Sequence, residues 1–260
     1  MQLAISPVQP PPFLKLLAHD IRWNILVLLA HSDYRVHELV NFIEQPQNLV
    51  SYHLKQLREH NLVSERRSAA DSRDVYYSLN FATLQTLYFA AADALHPALS
   101  SSETTLQETI SLLPQKPKRV LFLCTENSAR SQMAEALLRH LSSGRVEAYS
   151  AGSQPAPVHP YALRVLTHLG VETSHLRPKH IDEFQGQKFD RIITLCDRIV
   201  EVCPSFPNDP ERIHWSFPNP ATVQGTEAEQ YRAFEQIGLQ LTIRIRLLLI
   251  TLEREKGTLS

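Results

Sequence analysis

The sequence predicts two domains of different class: a mainly α unit closed by a β-hairpin, then an α/β unit with a parallel sheet flanked by helices. Three observations predict this. At 260 residues the chain is longer than one typical domain. Its first third shows apolar residues at helical spacing followed by two short strand-like runs, whereas its second half alternates strand and helix. Between them, Ser100 to Lys118 starts rich in Ser, Thr and Glu and ends P-Q-K-P-K, which reads as a linker. The expected boundaries are 1–99, a linker at 100–117, and 118–260.

Composition narrows the class. The hydrophobic fraction of 43% supports ordinary cores, and a net charge of −1 gives no overall signal for nucleic acid or acidic substrates. Three cysteines without a dense framework point to a reducing compartment and to chemistry rather than disulfide staples. The N-terminal stretch lacks a basic region followed by a long apolar one, and the longest apolar run, Ile25 to Ala30, is too short to span a bilayer. A cytoplasmic location without membrane association is expected.

In the first unit, Pro10 to Pro12 can open a helix, and Leu14, Leu17, Ile21, Ile25 and Leu28 place one helix over Phe13 to His31. A second helix follows around Val36 to Ile43, then a turn at Gln45-Pro46-Gln47. The third helix, Gln47 to His60, sets Leu49, Val50, His53, Leu54 and Leu57 on one side. Its other side carries Asn48, Ser51, Tyr52, Lys55 and Gln56. Leu62 to Arg67 and Asp74 to Leu79 read as strands around a polar tip, and Phe81 to Leu99 as an apolar-rich helix. Helix, turn, helix and charged hairpin make a winged helix-turn-helix.

N-L-V-S-Y-H-L-K-Q-L-R-E-H-N-L-V resembles the recognition helix of ArsR-type repressors, and L-K-L-L-A-H-D-I-R-W-N-I-L resembles their first core helix. The resemblance spans roughly residues 10 to 98 and implies operator DNA as a partner, with the third helix in the major groove and the wing on the backbone. DNA-facing candidates are Gln47, Asn48, Ser51, Tyr52, Lys55, Arg66, Arg67 and Arg73. Before residue 98 there are eight Lys and Arg against nine Asp and Glu, so charge alone does not argue for DNA. The family's terminal helix pairs across a dimer, so a homodimer is expected. Its arsenite-sensing members use cysteines near the second helix. Asp33 to Glu38 holds none here, and His19, His31, His37 and His96 are scattered, so no metal site is assigned.

In the second unit, strand Val120 to Leu123 leads into helix Ser128 to His140, strand Glu147 to Ser150 into helix His159 to Leu169, and strand Arg191 to Leu195 into a turn and helix. A strand near Ile213 to Trp215 precedes a last helix, Glu227 to Glu253. Such alternation puts ligands at the carboxyl ends of the strands, where Cys124, Cys196 and Trp215 fall.

The chemistry concentrates at Arg119 to Glu135, R-V-L-F-L-C-T-E-N-S-A-R-S-Q-M-A-E. A strand delivers Cys124, and Arg130 and Ser131 open the next helix, so the loop Thr125, Glu126, Asn127, Ser128, Ala129 can aim backbone N–H groups at one anion. Arg130 can fork onto two of its oxygens. A free thiol has a pKa of roughly 8.5, and this loop, with the Ser131 hydroxyl on the sulfur, is expected to make Cys124 a ready nucleophile.

This stretch resembles the low-molecular-weight tyrosine phosphatase superfamily, whose signature is C-x5-R-[ST], in its arsenate reductase form. In T-L-C-D-R-I-V-E-V-C-P, Cys196 and Cys203 are seven apart. On a helix that is about 10 Å at 1.5 Å per residue. A disulfide needs Cα atoms roughly 4.4 to 6.8 Å apart, so the segment must unwind or already be a loop for them to join. The pair resembles that of thioredoxin-coupled arsenate reductases. That resemblance implies arsenate as substrate, a relay from Cys124 to Cys196 to Cys203, no bound cofactor, and an external thiol reductant such as thioredoxin.

Three departures are visible. The superfamily's general acid is an Asp before Pro; here H-W-S-F-P-N-P-A has Asn219, which cannot deliver a proton, an aid typically worth ~10²–10⁴-fold. Glu126 stands where a small residue is common. Asn127, Glu135 and Ser150 match a potassium site of the thioredoxin-coupled members, but Lys179 stands at its carboxylate position, and no bound cation is expected. A low-activity phosphatase, or a transcription factor whose second domain only senses redox state or oxyanion, are the rival readings.

Overall fold

The computed structural model describes residues 10–71, 73–95, 117–207 and 210–254, which form two compact units. Most of the linker and the end of the helix towards Leu99 lie outside the described residues.

The first unit runs α1 (Pro12–Leu17), α2 (Asp20–His31), β1 (Tyr34–Arg35), α3 (Val36–Ile43), α4 (Gln47–Glu59), β2 (Val63–Arg67), β3 (Val75–Leu79) and α5 (Phe81–Leu95). The single helix expected over Phe13 to His31 is two. His19 is extended, and its Nδ1 accepts from the Ile21 N–H at 3.3 Å, capping α2. The Arg22 guanidinium donates to the carbonyls of Leu16 and Lys15, satisfying groups that the end of α1 would otherwise leave open. The β-hairpin gains a third strand that alternation could not reveal, because β1 is only two residues long: Tyr34 pairs with Tyr77 and Arg35 with Tyr76. Sheet order is β1-β3-β2, all antiparallel. Ile25, Leu29, Leu39, Val50, Leu54, Leu57 and Leu62 form the sealed core.

The second unit runs β4 (Lys118–Cys124), α6 (Arg130–Leu141), β5 (Val146–Gly152), α7 (Pro160–His168), β6 (Arg191–Thr194), α8 (Asp197–Val202), β7 (Glu211–His214) and α9 (Glu227–Arg254). Short 3-10 turns at Ile181–Phe184 and Pro220–Thr222 complete it. The sheet order is β5-β4-β6-β7, every pair parallel. Central β4 has its last five residues, Val120 to Cys124, buried, as a strand covered on both faces requires. Helix α6 is buried from Arg130 through Leu138, since its polar first turn faces the loop rather than water. Registers Cys124↔Gly152 and Leu123↔Thr194 bring the ends of three strands to one rim.

Candidate active site

The loop from Cys124 to Arg130 is locally self-supporting. Asn127 takes φ 47°, a left-handed value that Asn tolerates better than most residues, and this turns its N–H onto Cys124 Sγ at 3.1 Å. Ser131 Oγ lies 2.9 Å from the same sulfur. The Asn127 side chain donates to Ser131 Oγ and Ser150 Oγ, each at 2.9 Å. Gln132 Nε2 donates to Asn127 O at 3.0 Å, and the Lys179 N–H donates to Asn127 Oδ1 at 2.8 Å. The end of β5 passes so close that a Cβ on Gly152 would sit 2.5 Å from Thr125 O and 2.8 Å from Asn127 N. That position therefore requires glycine. Neither Gln132 nor Gly152 stood out in the sequence as a site residue; only their places beside the loop reveal them.

Arg130 is buried, and one Nη donates to the Phe217 carbonyl at 2.8 Å, which holds the guanidinium at the mouth of the loop. The other expected site residues fall as follows. Ser128 Oγ donates to Glu126 Oε2 at 3.1 Å, and Glu126 is exposed, so its carboxylate points away from the thiol. Ala129 caps α6 without a side-chain bond, so the helix starts at Arg130 rather than Ser128. Asn219 caps the 3-10 turn, its Oδ1 accepting from Ala221 N at 3.2 Å.

Desolvation opposes the groups expected to activate Cys124. Burial pushes the Cys124 thiol up from its ordinary value, and adjacent Cys196 adds to the rise. The Arg130 charge and the Ser131 hydrogen bond pull the other way without overcoming it. The sequence shows the activating groups but not the desolvation that opposes them.

Cys196 sits at the carboxyl end of β6, buried, with Sγ 3.3 Å from Thr125 Oγ1. It is the extended residue before α8, and Cys203 is the extended residue after it. All three cysteines are free thiols, with Cys203 partly exposed. The seven-residue spacing is therefore one short helix with a cysteine at each end.

Behind the loop, Lys179 Nζ lies 3.0 Å from Glu135 Oε2 and 3.1 Å from the Arg177 carbonyl, while Ser150 Oγ donates to the same Glu135 oxygen at 2.6 Å. Both charged side chains are almost sealed, at 7% and 5% exposure. Among the described residues no group of three or more His, Cys, Asp or Glu is arranged to hold a metal ion.

In the first unit, α4 buries Val50, His53, Leu54 and Leu57 and leaves Gln47, Asn48, Ser51, Tyr52 and Lys55 exposed, the two faces expected. Arg67 and Arg73 are exposed on the hairpin and Arg66 is half-buried. Two acids of this unit are ion-paired: Glu65 with Arg58 at 2.6 Å and Asp74 with Arg35 at 2.8 Å.

Residues 119–257 match the model of the low molecular weight phosphotyrosine protein phosphatase family. The chain belongs to that family. Ahead of this phosphatase-family unit, residues 19–65 match the arsR family of bacterial regulatory proteins, so the chain is a fusion of the two. Curated relatives of the phosphatase-family unit include an arsenate reductase of Halalkalibacterium halodurans, 36% identical over 129 residues, spanning 50% of this chain and 93% of that protein. An arsenate reductase of Bacillus subtilis is 33% identical over 129 residues, with the same shares. Among solved structures, a thioredoxin-dependent arsenate reductase of Corynebacterium glutamicum is 24% identical, covering 89% of this chain and 98% of that one with a TM-score of 0.44. No described helix is long and apolar enough to cross a membrane.

Proposed function

We propose that the chain is an arsenate reductase fused to a DNA-binding regulator. The observation that carries the reductase reading is the cysteine arrangement: Cys124 in the anion loop, Cys196 on the neighbouring strand end, and Cys203 across one short helix from it. A phosphatase needs only the first. Cys124 attacks the arsenic of arsenate and water leaves, giving a thiol–arsenate adduct held by Arg130 and the loop amides from Thr125 to Ala129. Burial favours the protonated thiol, and the bound oxyanion can accept its proton as the S–As bond forms. Cys196 then attacks the Cys124 sulfur. The S–As bond breaks, its electron pair goes to arsenic, and arsenite leaves with arsenic reduced from +5 to +3. Cys203 next attacks Cys196 and frees Cys124. The Cys196–Cys203 disulfide is reduced from outside by a dithiol such as thioredoxin. Asn219 supports this reading over ester hydrolysis, because an amide cannot protonate a leaving alkoxide.

The test is arsenate-dependent NADPH oxidation in the presence of thioredoxin and its reductase. Cys124→Ser should abolish it. If wild-type protein hydrolyses an aryl phosphate but shows no arsenate-dependent oxidation, the phosphatase reading takes its place.

For the regulator, α4 and the wing would contact operator DNA as a homodimer in the cell's cytoplasm. Helix α5 leaves Tyr88 61% exposed, which supports pairing through that helix. Lys55, far from the core and 3.9 Å from Glu59, is placed to meet a phosphate. Lys55→Ala should weaken DNA binding about evenly across sequences and lower the salt slope by about one. A gel-shift series in rising salt reads both, and failure to retain DNA from the protein's own resistance locus at low salt would refute the regulatory role.

A further inference from the structure

We infer that Asp197 is a positioning residue of the relay, fixing the Cys196 end of α8 so that Cys203 is the sulfur that travels. This rests on the reductase reading. Asp197 is the first residue of α8, and its side chain is 2% exposed. Within the catalytic unit its Oδ1 accepts from Ser216 Oγ at 2.7 Å and lies 3.3 Å from His214 Nε2. The other ring nitrogen of His214 lies 2.8 Å from Thr194 Oγ1. A tautomer protonated on Nε2 satisfies both contacts, donating to Asp197 and accepting from Thr194. Thr194 and His214 are also paired in the sheet, and the Trp215 N–H donates to the Thr194 carbonyl at 2.9 Å. One end of α8 is thus fastened to the last turn of two strands.

That end carries Cys196, buried against Thr125 beside the nucleophile. The opposite end is held differently. Cys203 is extended and partly exposed at the edge of the core, Pro204 follows it, and its sulfur lies 3.7 Å from the Pro204 carbonyl. A sealed carboxylate held by several hydrogen bonds resists displacement more than a partly exposed thiol next to a proline. When the helix opens, it opens from the Cys203 end, and Cys196 stays aimed at Cys124 for the step before.

The experiment uses the full chain carrying Cys203→Ser, so that Cys196 has one partner. Diamide takes two electrons and two protons from the Cys124 and Cys196 thiols, forming their disulfide and becoming the hydrazine, with no arsenate needed. Adding Asp197→Ala should slow this bond about tenfold, the scale on which misplaced reacting groups lose rate. Iodoacetamide labelling of Cys124 should be unchanged, and Asp197→Asn, which can still accept from Ser216, should restore most of the rate. Equal rates in the parent and Asp197→Ala would overturn the inference. So would a change in Cys124 labelling: faster labelling would mean general loosening, and slower labelling a less reactive nucleophile. A parallel arm gives the parent arsenate. If diamide forms the bond there and arsenate does not, the reductase reading fails, and the diamide arm still decides the role of Asp197.

Discussion

Cys203→Ser protein given arsenate once is expected to release one equivalent of arsenite and stop as a Cys124–Cys196 disulfide. The first two steps need only the sulfur in the loop and the sulfur beside it, and both are in place at the ends of adjacent strands, where the Leu195 N–H donates to the Leu123 carbonyl at 2.7 Å. The trapped bond would lie between two buried residues, at 2% and 5% exposure, out of reach of a protein reductant. Since thiol–disulfide exchange depends on access, steady-state turnover with thioredoxin should fall by a factor on the order of 100 or more. Peptide mapping of the stalled protein identifies the pair, and the NADPH assay gives the loss. Undiminished turnover would leave Cys203 a packed bystander and require a small thiol in its place.

Lys179→Met should destabilise the phosphatase-family unit by about 3–5 kcal/mol, because it strands the Glu135 carboxylate in a buried site. Met matches Lys in length but supplies no charge. Arg139, 3.7 Å from the other Glu135 oxygen and itself 46% exposed, compensates only in part. The disturbance should reach the sulfur, since Glu135 accepts from Ser150, Ser150 from Asn127, and Asn127 bonds Cys124. Adding Glu135→Gln to Lys179→Met should recover much of the stability, as removing both charges leaves no uncompensated ion. Urea unfolding followed at Trp215 in a Trp23→Phe background measures this unit separately from the winged-helix one, because a two-domain chain need not unfold in one step. If Lys179→Met alone shifts the midpoint no more than a surface substitution would, the pair is not a structural support.

The order of elements and the anion loop could be read because their signals are local. Five residues between Cys124 and Arg130, an apolar strand before and an amphipathic run after, leave few geometries open. What was missed depends on contacts across the chain. His19 breaks the first helix because Arg22 folds back onto Leu16, a contact that spacing does not encode. The two residues of β1 are too short to alternate. Gly152 matters only because β5 ends against the loop, and Asp197 only because Ser216 and His214 arrive from a later strand. The burial of the Cys124 thiol was illegible for a related reason: donors are visible as letters, whereas loss of water depends on everything packed above them.

The brevity of α8 has a consequence for electron flow. Six residues, Asp-Arg-Ile-Val-Glu-Val, are well below the length at which a helix holds itself together in water, and half are β-branched. Only the reduced protein can keep this helix, because the proposed Cys196–Cys203 bond is too short to span it. Helix stability therefore favours the dithiol and sets how strongly the oxidised protein draws electrons from its reductant. For a two-electron couple each 1.4 kcal/mol corresponds to about 30 mV. A weak helix lowers that potential, which favours electron flow inward along the proposed relay. A sequence that strengthened it, such as alanine at the 41% exposed Val200, would make the disulfide easier for thioredoxin to reduce and harder for the relay to form.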